Sequence, residues 1–507
     1  MTQADPNTTN SWMSGRQRVR LEIAGVALLA AAAFVVRFWG LSKMHFWDEN
    51  VYLLNAEYIF CGKAGYLEID SRPPLLSILF AGAFRFWHSD YAAAAVTALL
   101  NALGPVFLYL AGRKVTGKTP AALAALLLAF CPFFAGVFPD GSGGFVSNYT
   151  GHSLLTDCPA LSLILFSFWL LVRAIEKQTD LRFACAGFSL AMAVLMRFGS
   201  LSSIAMLSLL VLVANRRVRA ALACAAGFAL GMGPYLCWSR LRYGGFLETF
   251  RNGWSNLGGP TESFFYYLKN SAAMLSWLTI AGLAAWVIRR AWDSWGAGKQ
   301  RDRATAAERL LREHRRRWEG FLWLWALAVM LFFSSLSHKE LRYAIPVAPP
   351  LFLLAGVGLA TLVESRRAAI RTAGGIVLAS AMVYTFWPVH HRFDTGFIDP
   401  SVSEEMTVSD FLKHNLPPTT ILYANQNYPD FAYYTGMTVE ALPESGDPLY
   451  DSLKQLPDDG ILIAYKVSDD GDNSVPVEPP LDWLDSNSHF RRFREFPSLV
   501  LYKYHAF

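Results

Sequence analysis

The sequence predicts an α-helical polytopic membrane protein of about eleven transmembrane helices, with a small α/β domain at its C-terminus. Three observations predict this. Apolar stretches that approach or reach the ~20 residues needed to cross the hydrocarbon core recur through the first three quarters of the chain. Lys and Arg collect in alternate connecting loops, as orientation in a membrane requires. From about His390 to Phe507 the composition becomes that of a soluble domain. The bulk numbers agree: 53% of the 507 residues are hydrophobic and 17% charged, against the ~25% charged residues of soluble domains.

The elements follow in order. The chain is polar to Asn10, and Arg16, Arg18 and Arg20 then precede an apolar run over 21–41. This reads as a first transmembrane helix held with its N-terminus in the cytoplasm, and no cleavable signal peptide is expected. Next comes a segment of about fifty residues, 42–90, too long for a connector. Within it Leu53–Phe60 and Pro73–Trp87 suit helices lying on the membrane surface, so the segment is expected to be an ordered platform. Further spans are expected at 91–112, 120–138, 159–175, 183–196, 200–215, 218–238, 272–288, 320–337, 345–363 and 372–388. Alternate threading puts Arg113-Lys114, Arg173, Arg216-Arg217, Arg289-Arg290 and Arg366-Arg367 on the cytoplasmic side. The opposite loops, at 42–90, 139–158, 239–271 and 338–344, are rich in Gly, Pro, aromatic and acidic residues.

The basic stretch from 289 to 319 reads as a cytoplasmic amphipathic segment against anionic lipid. Beyond 390, Ile421–Ala424, Ile461–Tyr465 and Leu499–Tyr502 have the apolar, β-branched and aromatic character of short buried strands, and Val408–His414 reads as a helix. The division expected is therefore 1–389 for the membrane domain, including the 42–90 platform, and 390–507 for an outer-side α/β domain. The net charge of +5 lies in short juxtamembrane clusters and is no nucleic-acid signal. Five of the six cysteines lie in or beside apolar runs, so no disulfide framework is legible. The acidic run Asp469-Asp470-Gly471-Asp472-Asn473 reads as a turn rather than a calcium loop.

The feature carrying most chemistry is the pair Asp48-Glu49, just past the first span. A carboxylate at the water–lipid boundary can act as a general base where a lipid-borne molecule meets a soluble one. The same pair could instead cap the following helix. Asp157 opens an otherwise apolar span, where a carboxylate needs a reason. Lys339 and Arg342 share a very short outer loop with His338 and Glu340. Arg197 sits at a tight turn between spans, and Arg72 precedes Pro73-Pro74. Such cations can stabilise phosphate charge, arginine especially through its fork of donors, or can snorkel at helix ends. Arg240 and Arg242 are weaker candidates of this kind. Glu68, Asp70 and Asp157, with His152 beside them, could gather with Asp48 around a divalent cation, hold sugar hydroxyls, or pair with Arg72. No metal is assigned. Trp47, Tyr52 and Tyr343 suit stacking on a sugar ring as well as an interfacial aromatic belt.

The run Trp47-Asp48-Glu49-Asn50-Val51-Tyr52 followed by Arg72-Pro73-Pro74-Leu75 resembles the first outer loop of the GT-C superfamily of membrane glycosyltransferases. It is most similar to the group of dolichyl-phosphate-mannose protein mannosyltransferases and aminoarabinose transferases. Leu155-Thr156-Asp157-Cys158-Pro159, Leu195-Met196-Arg197-Phe198 and Arg342-Tyr343 continue the pattern in order. Ser71-Arg72 departs from the residues many relatives carry before the prolines. The resemblance spans roughly 20–360 and implies a polyprenyl-phosphate sugar donor in the plasma membrane and a lipid, glycan or protein acceptor at its outer face. It implies Asp48 as the base for an inverting displacement. A transporter or flippase of a lipid-linked or polar solute is the alternative, disfavoured because the acids gather at one face.

Overall fold

The computed structural model describes residues 15–45, 47–139, 145–147, 154–215, 218–255, 261–300, 306–364, 368–394, 396–399, 402–466 and 478–505. His152 and the Asp469–Asn473 turn lie outside these residues. A helix stands at each of the expected spans. Among the described residues, six helices are long and apolar enough to cross a membrane: Arg16–Phe38, Asp90–Val115, Asp157–Lys177, Val218–Tyr243, Leu341–Val363 and Arg371–His390.

The others are shorter, interrupted, or charged over one end, as Trp277–Gln300 (24 residues) and Ala306–Ser334 (29 residues) are. The stretch expected as one span over 120–138 is helical only over Lys118–Phe130. Pro132 forces the residue before it out of the helical region, and Cys131 accordingly has ψ 128°. A single turn, Pro132–Ala135, follows, and Gly136 ends it in the left-handed region at φ 80°. Near 276 a second break occurs: Ser276, at φ 68°, separates the turn Ser271–Leu275 from helix Trp277–Gln300. The helices pack around one large apolar core that includes Phe134, Phe168, Trp325 and Phe352, all fully buried.

The 42–90 platform is ordered, as its length predicts. Helix Trp47–Cys61 carries Asp48 and Glu49 in its first turn and buries residues 49–56, and helix Leu75–Phe84 follows the two prolines. Both pack on the N-terminal end of helix Asp90–Val115 through Leu53, Leu76, Phe80 and Ala93.

The C-terminal module is a five-stranded mixed sheet. Its strands run Val439–Ala441, Ile421–Ala424, Gly460–Tyr465, Leu499–Tyr504 and Phe490–Glu495 across the sheet. The first three are mutually parallel and the last two antiparallel to their neighbours. Gly460–Tyr465 is buried along its whole length, as expected of a central strand covered on both faces. One face packs on helices Glu404–Asn415 and Tyr428–Thr435; the other packs on Leu449, Leu453 and Leu484.

The module sits directly on the platform. Val439 donates to the Gly65 carbonyl at 2.9 Å. The approach is so close that a Cβ on Gly65 would stand 2.1 Å from the Met437 carbonyl oxygen. Leu54 of the platform helix is part of the module's own apolar core. At the platform's start, Leu41 and Ser42 pair in parallel with Ile398 and Asp399.

Candidate active site

Three helix ends and the platform meet at one end of the helix bundle. Asp157 opens helix Asp157–Lys177, Arg197 follows helix Asp180–Met196, Arg342 lies in the turn leading into helix Ala348–Val363, and Asp48 and Arg72 come from the platform. Pro346 and the Pro349-Pro350 pair explain the third of these. Proline has no N–H to donate inside a helix and fits best in its first turn, and with three prolines over 346–350 the chain over Leu341–Val347 runs as a tighter 3-10 turn before the α-helix begins.

The charges are paired in sequence. Both oxygens of Asp48 are taken: Oδ1 by Arg72 Nη1 at 2.9 Å and Oδ2 by Arg342 Nη1 at 2.9 Å. Arg72 also reaches Glu68 through Nε at 2.7 Å. Arg342 turns its Nε and Nη2 onto Glu340, at 2.5 and 3.1 Å. Glu340 in turn accepts from the Tyr343 hydroxyl at 2.7 Å. Arg197 pairs with Asp157 at 2.8 Å, and the Tyr343 ring lies between two guanidiniums, 5.3 Å from Arg197 and 5.8 Å from Arg342.

Burial alone would push the Asp48 carboxyl upward. The positive charge of Arg72, then of Arg342, more than offsets it, and the carboxyl is held at about 2, below its ordinary 3.8. Because the folded value is depressed, the pairing contributes stability that is fully present above the ordinary value and lost as pH falls through about 2. Acid titration followed at the Asp48 carboxyl carbon in donor-free protein should therefore give a midpoint near 2. A midpoint at the ordinary value would mean that the two arginines do not hold this group in solution.

These groups line one end of a cavity of about 460 Å³, within the ~300–1,000 Å³ range of small-molecule sites. Its charged end carries Asp48, Asp157, Arg72, Arg197 and Arg342, while Arg251 lines the wall contributed by helix Glu248–Ser255, where it is exposed and paired with Glu248 at 3.4 Å. The remainder is apolar, formed by Phe198, Phe250, Trp254, Phe332, Phe333 and Leu336 among others. The wall contributed by helix Glu248–Ser255 sits tightly: a Cβ on Gly253 would lie 2.6 Å from the Ser71 carbonyl oxygen and 3.3 Å from the Phe198 ring. The Phe198 and Phe250 rings lie 4.2 Å apart, tilted by 32°.

The structure thus brings Asp48, Arg72, Asp157, Arg197, Arg342 and Tyr343 to one cavity, with Glu68 and Glu340 behind the arginines. Other candidates lie off its lining. Glu49 is 3% exposed and accepts from the Leu154 N–H at 2.5 Å. Lys339 is buried, its ammonium donating to the Leu336, Ser337 and Glu262 carbonyls. His338 lies 3.4 Å from Glu340, and Asp70 is exposed to solvent. Arg240 and Arg242 are exposed on helix Val218–Tyr243. Among the described residues, no group of three or more His, Cys, Asp or Glu is placed to hold a metal ion. Sequence reasoning missed Arg251 and the aromatic wall. Arg251 stands on the short helix Glu248–Ser255 without a neighbouring motif, and the wall residues are indistinguishable in sequence from lipid-facing helix surface.

Residues 71–238 match the family model of dolichyl-phosphate-mannose-protein mannosyltransferases, a stretch holding Arg72, Asp157 and Arg197. No curated protein sequence matches the chain. Among solved structures, the fold is similar to ArnT from Cupriavidus metallidurans bound to undecaprenyl phosphate. The identity is 14%, the TM-score 0.62, and 97% of this chain and 98% of that one are covered. It is also similar to the Archaeoglobus fulgidus oligosaccharyltransferase tethered with an acceptor peptide, at 12% identity and TM-score 0.57, covering 90% of this chain and 70% of that one. The A. fulgidus oligosaccharyltransferase AglB with an inhibitory peptide and a dolichol-phosphate is similar at 11% identity and TM-score 0.57, over 88% and 70%. The fold is the GT-C fold, as the motif resemblance implies.

Proposed function

We propose that this chain is an inverting membrane glycosyltransferase that takes a sugar from a polyprenyl-phosphate donor and passes it to a hydroxyl-bearing lipid, glycan or protein acceptor. The observation that carries the reading is the shape of the charge in the cavity. One end presents the guanidiniums of Arg72, Arg197 and Arg342, whose donors suit a phosphate, and the rest is an apolar chamber suited to the isoprene units behind it. Asp48 stands at the charged end, where the phosphate-linked anomeric carbon would lie. The resemblance to ArnT, solved with undecaprenyl phosphate, and to AglB, solved with a dolichol-phosphate, supports this donor class.

In the proposed step, Asp48 takes the proton from the acceptor hydroxyl, and the oxygen attacks the anomeric carbon from the face opposite the phosphate. The bond from carbon to phosphate oxygen breaks, and the electron pair leaves with the phosphate. Arg72, Arg197 and Arg342 stabilise the charge that develops on it. Asp157, paired with Arg197, orients that guanidinium. An outward-facing site and an outer C-terminal module, argued from the positive-inside threading, and the plasma-membrane location that the resemblance implies are part of the proposal. So is the full count of about eleven spans. The transporter alternative is less well served, because the ionisable groups of the cavity collect at one end instead of along a path.

The experiment that tests the reading is turnover of a panel of radiolabelled polyprenyl-phosphate sugars by the purified protein. Loss of sugar from one carrier, dependent on an added acceptor, would support it; binding of no carrier would overturn it. The tail half of the site gives an independent prediction. Truncating Phe250 and Trp254 together to alanine removes apolar wall worth roughly 2–4 kcal/mol of buried surface. Affinity for a long-chain polyprenyl phosphate should fall at least tenfold, while affinity for a short-chain analogue stays near wild type. Equal losses for both would place the tail elsewhere.

A further inference from the structure

Asp48 occupies the first turn of helix Trp47–Cys61, and the chain around that turn is held by the C-terminal module as well as by the membrane helices. The His45 N–H donates to the Tyr434 hydroxyl at 2.7 Å. Asn50, fully buried, donates through Nδ2 to Asp430 Oδ1 at 2.6 Å and to the His45 carbonyl at 3.3 Å. The Tyr428 ring meets Trp47 edge-on at 4.3 Å. The His45 ring lies 3.2 Å from Asp90 Oδ2, and the other oxygen of Asp90 accepts from the Tyr433 hydroxyl. Tyr428, Asp430, Tyr433 and Tyr434 all belong to one eight-residue helix, Tyr428–Thr435.

We infer that helix Tyr428–Thr435 is a positioning element for Asp48, so that the C-terminal module is a working part of the active site without touching substrate. The inference rests on the reading of Asp48 as the base. Docking of the module does not depend on these polar contacts alone, since Leu54, Phe431 and Ala432 already share a buried apolar core. What the polar contacts add is direction. They converge on His45, Trp47 and Asn50, on both sides of Asp48, and fix the backbone from which its carboxylate projects. A single neutral hydrogen bond contributes only ~1 kcal/mol to stability, whereas a reacting group misplaced by about 1 Å can cost ~100-fold in rate. Loss of one contact should therefore show in catalysis well before it shows in folding.

The test uses the full-length protein and the variants Asp430→Ala, Asp430→Asn and Tyr434→Phe. Turnover is compared with binding of a sugar-free polyprenyl phosphate, and carbodiimide modification of Asp48 is read by mass spectrometry. Asp430→Ala and Tyr434→Phe should lower kcat by ~10- to 100-fold, leave carrier binding close to wild type, and raise modification of Asp48. Asp430→Asn, which keeps the accepting oxygen, should restore both readouts. Unchanged kcat and labelling in Asp430→Ala would overturn the inference. So would parallel loss of yield, carrier binding and kcat that Asp430→Asn does not rescue, because the contact would then be merely structural. Should the wild type turn over no carrier-linked sugar, the functional reading fails, yet labelling still decides the positioning: a rise in Asp430→Ala supports it and no rise overturns it.

Discussion

Asp48→Asn is expected to abolish turnover, by ~10³-fold or more, while leaving polyprenyl-phosphate binding intact. The substitution keeps size and shape but removes the only property the proposed step uses, the ability to accept a proton. Donor affinity should hold or improve, because an anion that competes with the donor phosphate for Arg72 and Arg342 is withdrawn. Glu49 is the natural control. It is adjacent in sequence, but its carboxylate is engaged with the Leu154 N–H and lies off the cavity lining. Glu49→Gln should therefore affect stability of the platform more than kcat. Single-turnover kinetics with a labelled donor would measure both. Equal turnover by wild type and Asp48→Asn would move the base to Asp157, the other carboxylate of the cavity.

How much of this was legible in the sequence depends on the range of the signal. The spans were legible because hydropathy is a local property, yet Pro132 divided one of them by an equally local rule that the apolar count overrode. In the C-terminal module, Ile421–Ala424, Gly460–Tyr465 and Leu499–Tyr504 were readable as apolar strands. Phe490–Glu495 was not, because it is an edge strand whose Arg and Glu side chains face water. Val439–Ala441 is too short to show a period. At the site, Asp48, Asp157, Arg197 and Arg342 stood out as charges beside apolar runs. Lys339 stood out by the same criterion, yet its ammonium caps backbone carbonyls instead of facing the cavity. Sequence proximity cannot tell these two fates apart, since each depends on where a loop carbonyl falls in space. The links from Asn50 to Asp430 and from His45 to Tyr434 span nearly four hundred residues and leave no local trace.

Replacing Arg342 is expected to have the second largest effect, because this side chain serves three partners at once. Its Nη1 holds Asp48, its Nε and Nη2 hold Glu340, and its guanidinium lies beside the Tyr343 ring at the charged end of the cavity. A donor phosphate would compete with Asp48 for Arg342 and Arg72. Donor arrival would thus relax the pairing that holds the Asp48 carboxyl at about 2 and make it a better base as the acceptor comes in. Arg342→Ala leaves Glu340 and one oxygen of Asp48 without their cation, and loss of one partner from a buried hydrogen-bonded charge pair costs ~2–5 kcal/mol. Donor affinity should fall by roughly 100-fold on that scale. Arg342→Lys restores the charge but not the fork, since an ammonium cannot grip Glu340 at two points while reaching Asp48. It should recover only a part of the binding. In Arg342→Ala the Asp48 carboxyl should titrate above its wild-type position, moving toward 3.8 as one of its two cations is lost. Titration of Asp48 in the donor-free variants, set beside carrier binding, separates the two roles. A carboxyl that stays near 2 in Arg342→Ala would mean that Arg72 alone holds Asp48, and competition between base and donor for Arg342 would have to be given up.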